Sequence, residues 1–429
     1  MRAILCAAAC TAAQVAGAGD FDLDLALLNE LSPRPGLTIE AGNLAQYGHL
    51  LEPDFARFVA TGDATITVGA PLSFDPHPAY IQATRQFRGQ PALGATAGLL
   101  ESFAQGRPFP GELSRADVEA GRKAAWNMRY AYLGDSGLIP EIHWQMRDWR
   151  SEKVVFEMLF KARSQRFMYR HVLEPVPFVD KNPEDAYGAF LLTAIDAGSY
   201  DGTQALAFAN RDEGRDVNGW VYIPQLGRTQ SLASFSTEES MFGSDILPTD
   251  FLVYSGRLVD MQWRYLGTTY MLLPFYRHDQ VELSTRRARN HEYWHADVGG
   301  HAGCFPRVHW QLRPTVILEG VAVDPAAAAA RRVFYLDRQT FVAPLWKVYR
   351  DDGALWKIVM TAYAHPNSHL ADNHESGAPI PTASATIDPR ANRCTTLQLL
   401  TIVNSSEVTA DDFDAGIMQS GSRGEFRRR

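Results

Sequence analysis

The hydrophobic pattern between Asn218 and Phe275 organises the chain. It opens with NGWVYIPQLGR, crosses a polar segment carrying Phe235 and Phe242, and ends in GSDILPTDFLVYSGRLVDMQWRYLGTTYMLLPF. Met261, Trp263 and Tyr265 alternate with Gln262 and Arg264, and a period of two puts the apolar set on one face of a half-buried strand. Gly256 with Arg257, and Gly267 with Thr268, read as turns that punctuate the run. The inner face of this sheet is aromatic, which suits either a packed core or a surface for an apolar ligand.

The front of the chain reads differently. An amphipathic helix is predicted over Leu23 to Leu31, followed by a break at SPRPG and a second segment around Asn43 to Val59. Another helix begins near Pro78 and carries Tyr80, Ile81 and Phe87. Ser114 followed by Asp117 is a capping-box pattern that opens a helix to about Leu133, with Val118, Ala125 and Tyr132 along one stripe. From Ile139 onward strands dominate, among them EIHWQMRDWR, KVVFEMLFKARSQRFMYRHV, GAFLLTAID and TQALAFANR, then RVHWQLRPTVILEGVAV, RRVFYLD, TFVAPLWKVYR and GALWKIVMTAYA. Asp351-Asp352-Gly353 is the strongest hairpin signal, after which Trp356, Ile358 and Met360 face one way and Lys357 the other. Residues 365–393 read as loop. A helical front third ahead of a long antiparallel meander predicts an α+β protein, and no G-x-G-x-x-G or P-loop string supports a doubly wound nucleotide fold. The expected division is a signal peptide at 1–18, an N-terminal arm with helices at 19–137, a sheet domain at 138–404 and a polar, disordered tail at 405–429.

Composition narrows the setting. With 429 residues, 46% hydrophobic and 21% charged, the chain can bury a sizeable core. A net charge of -8 with dispersed basic residues argues against a nucleic-acid partner, and the basic run Arg427 to Arg429 is a solvated tail. MRAILCAAACTAAQVAGA has Arg2, a small apolar run and Ala16-Gly17-Ala18, which predicts an exported protein cleaved near Ala18. No other apolar run approaches twenty residues. Cleavage removes Cys6 and Cys10 and leaves Cys304 and Cys394, which either form one disulfide in an oxidising compartment or stay as two buried thiols.

These strands also carry a resemblance. GWVYIP with Arg228, Gly243-Ser244-Asp245, Asp250, Gly256, MQWRYLG, YMLLPF, PRVHWQLRPTVILEG, RRVFYLD and DDGALWKI, together with TIEAGNLAQYGHLL and GRPFPG, resemble the domain of unknown function 1329 family, exported proteins related in fold to the LolA/LolB lipoprotein-localisation factors. The resemblance implies a strongly curved antiparallel sheet, an incomplete β-barrel, covered by helices on its concave side over an apolar cavity. It also implies a periplasmic carrier of lipids or other hydrophobic molecules, working between an inner-membrane transporter of the resistance-nodulation-division type and an outer-membrane partner. Two departures stand out: a single Arg228 in GRTQS where the family often has paired arginines, and a longer, His-rich stretch between Glu282 and Cys304.

A carrier must offer enclosed apolar surface, since burying a methylene is worth about 0.8 kcal/mol. The residues expected to line such a cavity are Trp220, Tyr222, Met261, Trp263, Tyr265, Tyr270, Trp310, Tyr335, Trp346 and Trp356; the competing reading of each is a filled core position. One string points to catalysis instead. His291-Glu292-Tyr293-Trp294-His295 spells H-E-x-x-H, and His301 follows where a third zinc ligand of a metalloprotease would stand. Against a zinc enzyme, Val298 occupies the glycine position and the run Arg286 to Arg289 precedes the motif in place of an apolar helix. The reading that follows is a non-enzymatic carrier without a cofactor, with a zinc metalloenzyme or a ligand-free scaffold bridging envelope components as the alternatives.

Overall fold

The computed structural model describes residues 19–418 apart from 97, 183, 236, 290 and 417, so the signal segment at 1–18 and residues 419–429 lie outside the described residues. β-branched and aromatic residues at alternating positions build long strands, and these pair into one large open curved sheet. Its order runs Thr38–Ile39, Ile66–Val68, His309–Ala322, Arg331–Asp337, Leu345–Tyr349, Leu355–Ala364, Ile380–Asp388, Arg393–Val403, Ser136–Asp148, Val154–Arg166, Ala186–Asp196, Gln204–Asn210, Asn218–Ile223 and Arg228–Ser231. After two short strands at one edge, the chain enters the middle of the sheet with Ser136–Asp148 and meanders out to Ser231. It then crosses back to begin the other half with Met261–Leu273, which pairs antiparallel with His309–Ala322. Arg393–Val403 closes the seam by pairing with Ser136–Asp148. The α+β class and the antiparallel meander are as expected.

Several local expectations change. Gly267 is not a turn: it sits inside Met261–Leu273 at φ +137, where the register slips between Tyr265 and Gly267, so one continuous strand bends at a bulge. Residues 365–393 are not all loop, because Ile380–Asp388 is a buried strand between two others. The helix announced by Ser114 and Asp117 starts later, at Ala120, because their side chains bond Ala116 and Glu119 in turns ahead of it. The tail from 405 is ordered as far as the described residues go: Thr409 and Asp412 form a capping box, and Phe413 and Met418 are buried against Phe167 and Phe208. Residues 19–137 contribute two strands to the sheet edge as well as helices. The hairpin at Asp351-Asp352-Gly353 forms, with Gly353 at φ +77, but Lys357 is buried like Trp356 and Ile358 because both faces of the sheet are covered.

Two different layers cover it. Lys347 and Tyr335 share one face, and Glu52, at the start of the helix Pro53–Thr61, pairs with the Lys347 ammonium at 2.6 Å and accepts the Tyr335 hydroxyl at 3.1 Å. On the other face Trp263, Phe334 and Trp346 form a row, with ring centroids 5.9 and 6.4 Å apart. The crossing segment lies over that row: Tyr254 contacts Trp263 and Phe334, and Asp250 takes a forked pair from Arg332 and a bond from the Trp346 indole. Further along, Phe242 and Phe251 of the same segment pack on Trp144, and Asp245 pairs with Arg393 at 2.8 Å.

Candidate functional site

Open space lies between two proline-marked segments outside the sheet. A cavity of about 460 Å³ is lined by Phe74, Pro76, Pro78, Ile81, Pro366 and Ala378, with Asp75, His77, His365, Asn367, Glu375 and Gly377 among them. His77-Pro78 and His365-Pro366 build opposite walls in the same way. Each proline fixes the first position of a helical turn, and each preceding histidine accepts the exposed backbone N–H two residues on through Nδ1: Ala79 for His77 and Asn367 for His365, both at 3.2 Å. The helix Pro78–Gln86 then presents Ile81, and burial of Tyr80 on Tyr130 and Tyr132 holds it in place. Burial lowers the pKa of both imidazoles, so His77 and His365 are neutral walls, and the His365 ring lies 5.1 Å from Phe74.

The second wall is a strap, residues 365–379, tied down from behind. Buried Asn373 donates to the Thr401 carbonyl at 2.7 Å and to His369 Nδ1 at 2.8 Å, and accepts from the Val403 amide at 2.8 Å. His369 reaches the Tyr293 hydroxyl at 3.1 Å, and the Ser368 hydroxyl accepts from the His278 amide at 3.0 Å. Gly377 brings the strap against the first wall at φ +64, with room for no side chain: a Cβ there would stand 2.2 Å from the His77 amide nitrogen. At the mouth stand two exposed carboxylates. Asp75 accepts from the Ser73 hydroxyl at 2.6 Å and from Gln339 at 3.1 Å, and among the described residues neither Asp75 nor Glu375 has a cation as an ion-pair partner.

None of the ten residues expected to line a cavity borders this one. Met261, Trp263 and Trp346 are core under the crossing segment, where the Trp263 indole donates to the Leu258 carbonyl at 2.8 Å. Trp310 packs 4.7 Å from Phe55, Tyr335 is held by Glu52, and the Trp356 indole donates to Asp388 at 2.9 Å. Trp220 and Tyr222 belong to a separate cluster near Phe413, and Tyr265 and Tyr270 are half-buried on Met261–Leu273. The aromatic face that carries Trp263 and Trp346 exists, but the chain's own Tyr254 and Asp250 cover it. The signal that marked the actual cavity was the repeated His-Pro pair, at 77–78 and 365–366.

The metal candidates also separate. His291 to His295 lie on a hairpin, Leu283–Arg287 with Trp294–Ala296, so they do not stack one helical turn apart. His295 is buried against Glu141 at 3.1 Å, while His301 binds the Trp149 carbonyl at 2.7 Å. Among the described residues no three His, Cys, Asp or Glu side chains converge on a point suited to a metal ion. Cys304 and Cys394 do meet, as a disulfide with Cα atoms 5.9 Å apart that ties the His-rich stretch to the strand Arg393–Val403.

Comparison with known proteins gives the family. The model of a family described as protein of unknown function, DUF1329, matches residues 38–418. Among solved structures, a DUF1329 family protein from Desulfovibrio piger is similar with 14% identity, covering 70% of this chain and 98% of its own at a TM-score of 0.48. A putative outer membrane lipoprotein-sorting protein domain from Vibrio parahaemolyticus matches with 14% identity over 71% of this chain and 100% of its own, TM-score 0.46. A LolA superfamily protein from Nitrosomonas europaea matches with 10% identity over 67% and 94%, TM-score 0.38. No curated protein matches the chain.

Proposed function

Taking as premise that this chain belongs to the DUF1329 family, we propose that it is a non-enzymatic binding protein for a hydrophobic molecule, with the cavity between residues 74–81 and the 365–379 strap as its binding site. The observation that carries this reading is the cavity itself. Its volume of about 460 Å³ falls in the range of small-ligand pockets, and Phe74, Pro76, Ile81, Pro366 and Ala378 line it together with the exposed Asp75, Asn367 and Glu375. A site of this kind holds a ligand by excluding water from its apolar body, and its modest size favours exchange over permanent retention. The Cys304–Cys394 disulfide supports an exported setting, because such bonds persist in oxidising compartments. In this reading the protein works in the periplasm, takes its cargo from a resistance-nodulation-division type transporter and passes it to an outer-membrane protein.

The test is saturable binding of the neutral dye N-phenyl-1-naphthylamine, followed by its fluorescence. Wild-type protein is expected to bind with a micromolar Kd, and Ile81→Trp, which places an indole in the cavity, to weaken binding about tenfold while the unfolding midpoint stays in place. Absent binding, or binding indifferent to Ile81→Trp, would sink the proposal.

A further inference from the structure

The rim of the cavity says what kind of molecule belongs in it. Its walls give a ligand no positive charge to meet: His77 and His365 are neutral and each spends Nδ1 on a backbone amide. The cations whose charge bears on His365, Arg277 and Arg313, are already engaged. Arg313 pairs with Asp337 at 2.8 Å and Arg277 with Asp279 at 2.7 Å. The charged groups that remain among the residues lining the cavity are the carboxylates of Asp75 and Glu375, one on each wall. Both are exposed, so they keep their hydration while the cavity is empty and can exchange part of it for a bound group. Size adds a second limit, since about 460 Å³ between prolines that cannot yield takes one chain or a small ring system and not a two-chain lipid.

We infer that the ligand is a compact amphiphilic cation, an amine whose apolar body fills the space over Phe74, Ile81 and Ala378 while its charged end stays at the rim between Asp75 and Glu375. This deepens the proposed function and rests on it. The geometry separates the two contributions, because the floor supplies affinity without regard to charge and the rim supplies the choice of sign. At a partly exposed site each carboxylate is worth a modest factor, and the effect must fade with salt.

The experiment is a calorimetric titration of the whole protein with decylamine, 1-decanol, decanoate and didecanoyl phosphatidylcholine below their aggregation limits. Decylamine is expected to bind about fivefold tighter than 1-decanol in low salt, and decanoate to bind weakest. Asp75→Asn and Glu375→Gln are each expected to cut the preference for decylamine over 1-decanol to about twofold. The amide introduced by Asp75→Asn keeps an oxygen for Ser73 and Gln339, and among the described residues Glu375 makes no side-chain bond that its replacement would break, so both variants should fold. Equal binding of amine and alcohol would overturn the inference and leave the proposed function standing. Failure of every single-chain probe would overturn both, and tight binding of the two-chain lipid would overturn the size limit.

Discussion

At Gly377 the strap passes so close to the opposite wall that no side chain fits between them. Any Cβ would meet the His77 amide nitrogen at 2.2 Å and the Pro76 carbonyl carbon at 2.7 Å, and the backbone sits at φ +64, where L residues are strained. Gly377→Ala is therefore expected to cost about 3 kcal/mol and to lose dye binding along with stability, because the walls must part to admit the methyl group. Urea unfolding and dye titration of the same sample check this, and an unchanged midpoint would show the strap to be looser than the contact implies. The ten residues expected to line a cavity teach the complementary lesson. Their parity along the strands was readable, since Trp263 and Trp346 do lie on one face with Phe334 between them. What parity could not tell was whether that face was vacant. Vacancy depends on Tyr254 and Asp250, residues of an irregular segment whose path has no periodicity to announce it.

Among the elements, long amphipathic strands were the most legible and polar ones the least. The alternation of Met261, Trp263 and Tyr265 and the hairpin at Asp351-Asp352-Gly353 were legible, while the turn expected at Gly267 is a bulge within one strand. Ile380–Asp388 was not, because a strand buried on both faces between neighbours carries Thr382, Ser384 and Thr386 where alternation looks for solvent. The first two hydroxyls are satisfied inside, Thr382 by the Ala362 carbonyl and Ser384 by the Met360 carbonyl. The H-E-x-x-H string misled for a related reason: a motif has chemical meaning only in its structural context, and here the context is a hairpin. That hairpin has few buried apolar residues of its own, chiefly Ala288, Tyr293 and Ala296. The disulfide from Cys304 to Cys394 therefore supplies much of what anchors the stretch, closing a loop with a sequence separation of 90. Cys304→Ser with Cys394→Ser is expected to cost about 3–4 kcal/mol in denaturant unfolding and to expose the Arg286 to Arg289 run to trypsin ahead of the sheet. Cleavage no faster than in the oxidised parent would mean that Tyr293 and its neighbours hold the hairpin unaided.

For the molecule as a whole, acid should loosen the fold well before most carboxylates protonate. The strap and the hairpin meet over a buried group of imidazoles. His278 stacks on Tyr293 at 5.0 Å and lies 5.1 Å from His369, and His295 stands edge-on to Tyr293 at 5.2 Å. Burial pushes His278 down to about 4, and burial with the neighbouring histidines holds His369 well below its usual range. The hydrogen bonds agree: Asn373, fixed by Thr401 and Val403, donates to His369 Nδ1, so a proton there would face another N–H. Among the described residues the carboxylate bonded to the group is Glu141, held by His295 and the Arg289 amide, and exposed Asp279 is paired with Arg277. Between about pH 6.5 and 4 the unfolded chain thus takes up protons that the folded one refuses, and stability must fall as pH falls through that window. His278 and His369 each contribute up to about 1.4 kcal/mol per pH unit. Urea midpoints at pH 7, 6, 5 and 4.5 are expected to decline steeply in the parent. In His278→Gln with His369→Gln they should start lower and decline less, because two of the groups that refuse the proton are gone. A decline of equal steepness in the double variant would move the acid sensitivity elsewhere. If the slope does flatten, the same two side chains that tie the strap to the hairpin also make the back wall of the candidate site the part of the fold that acid releases first.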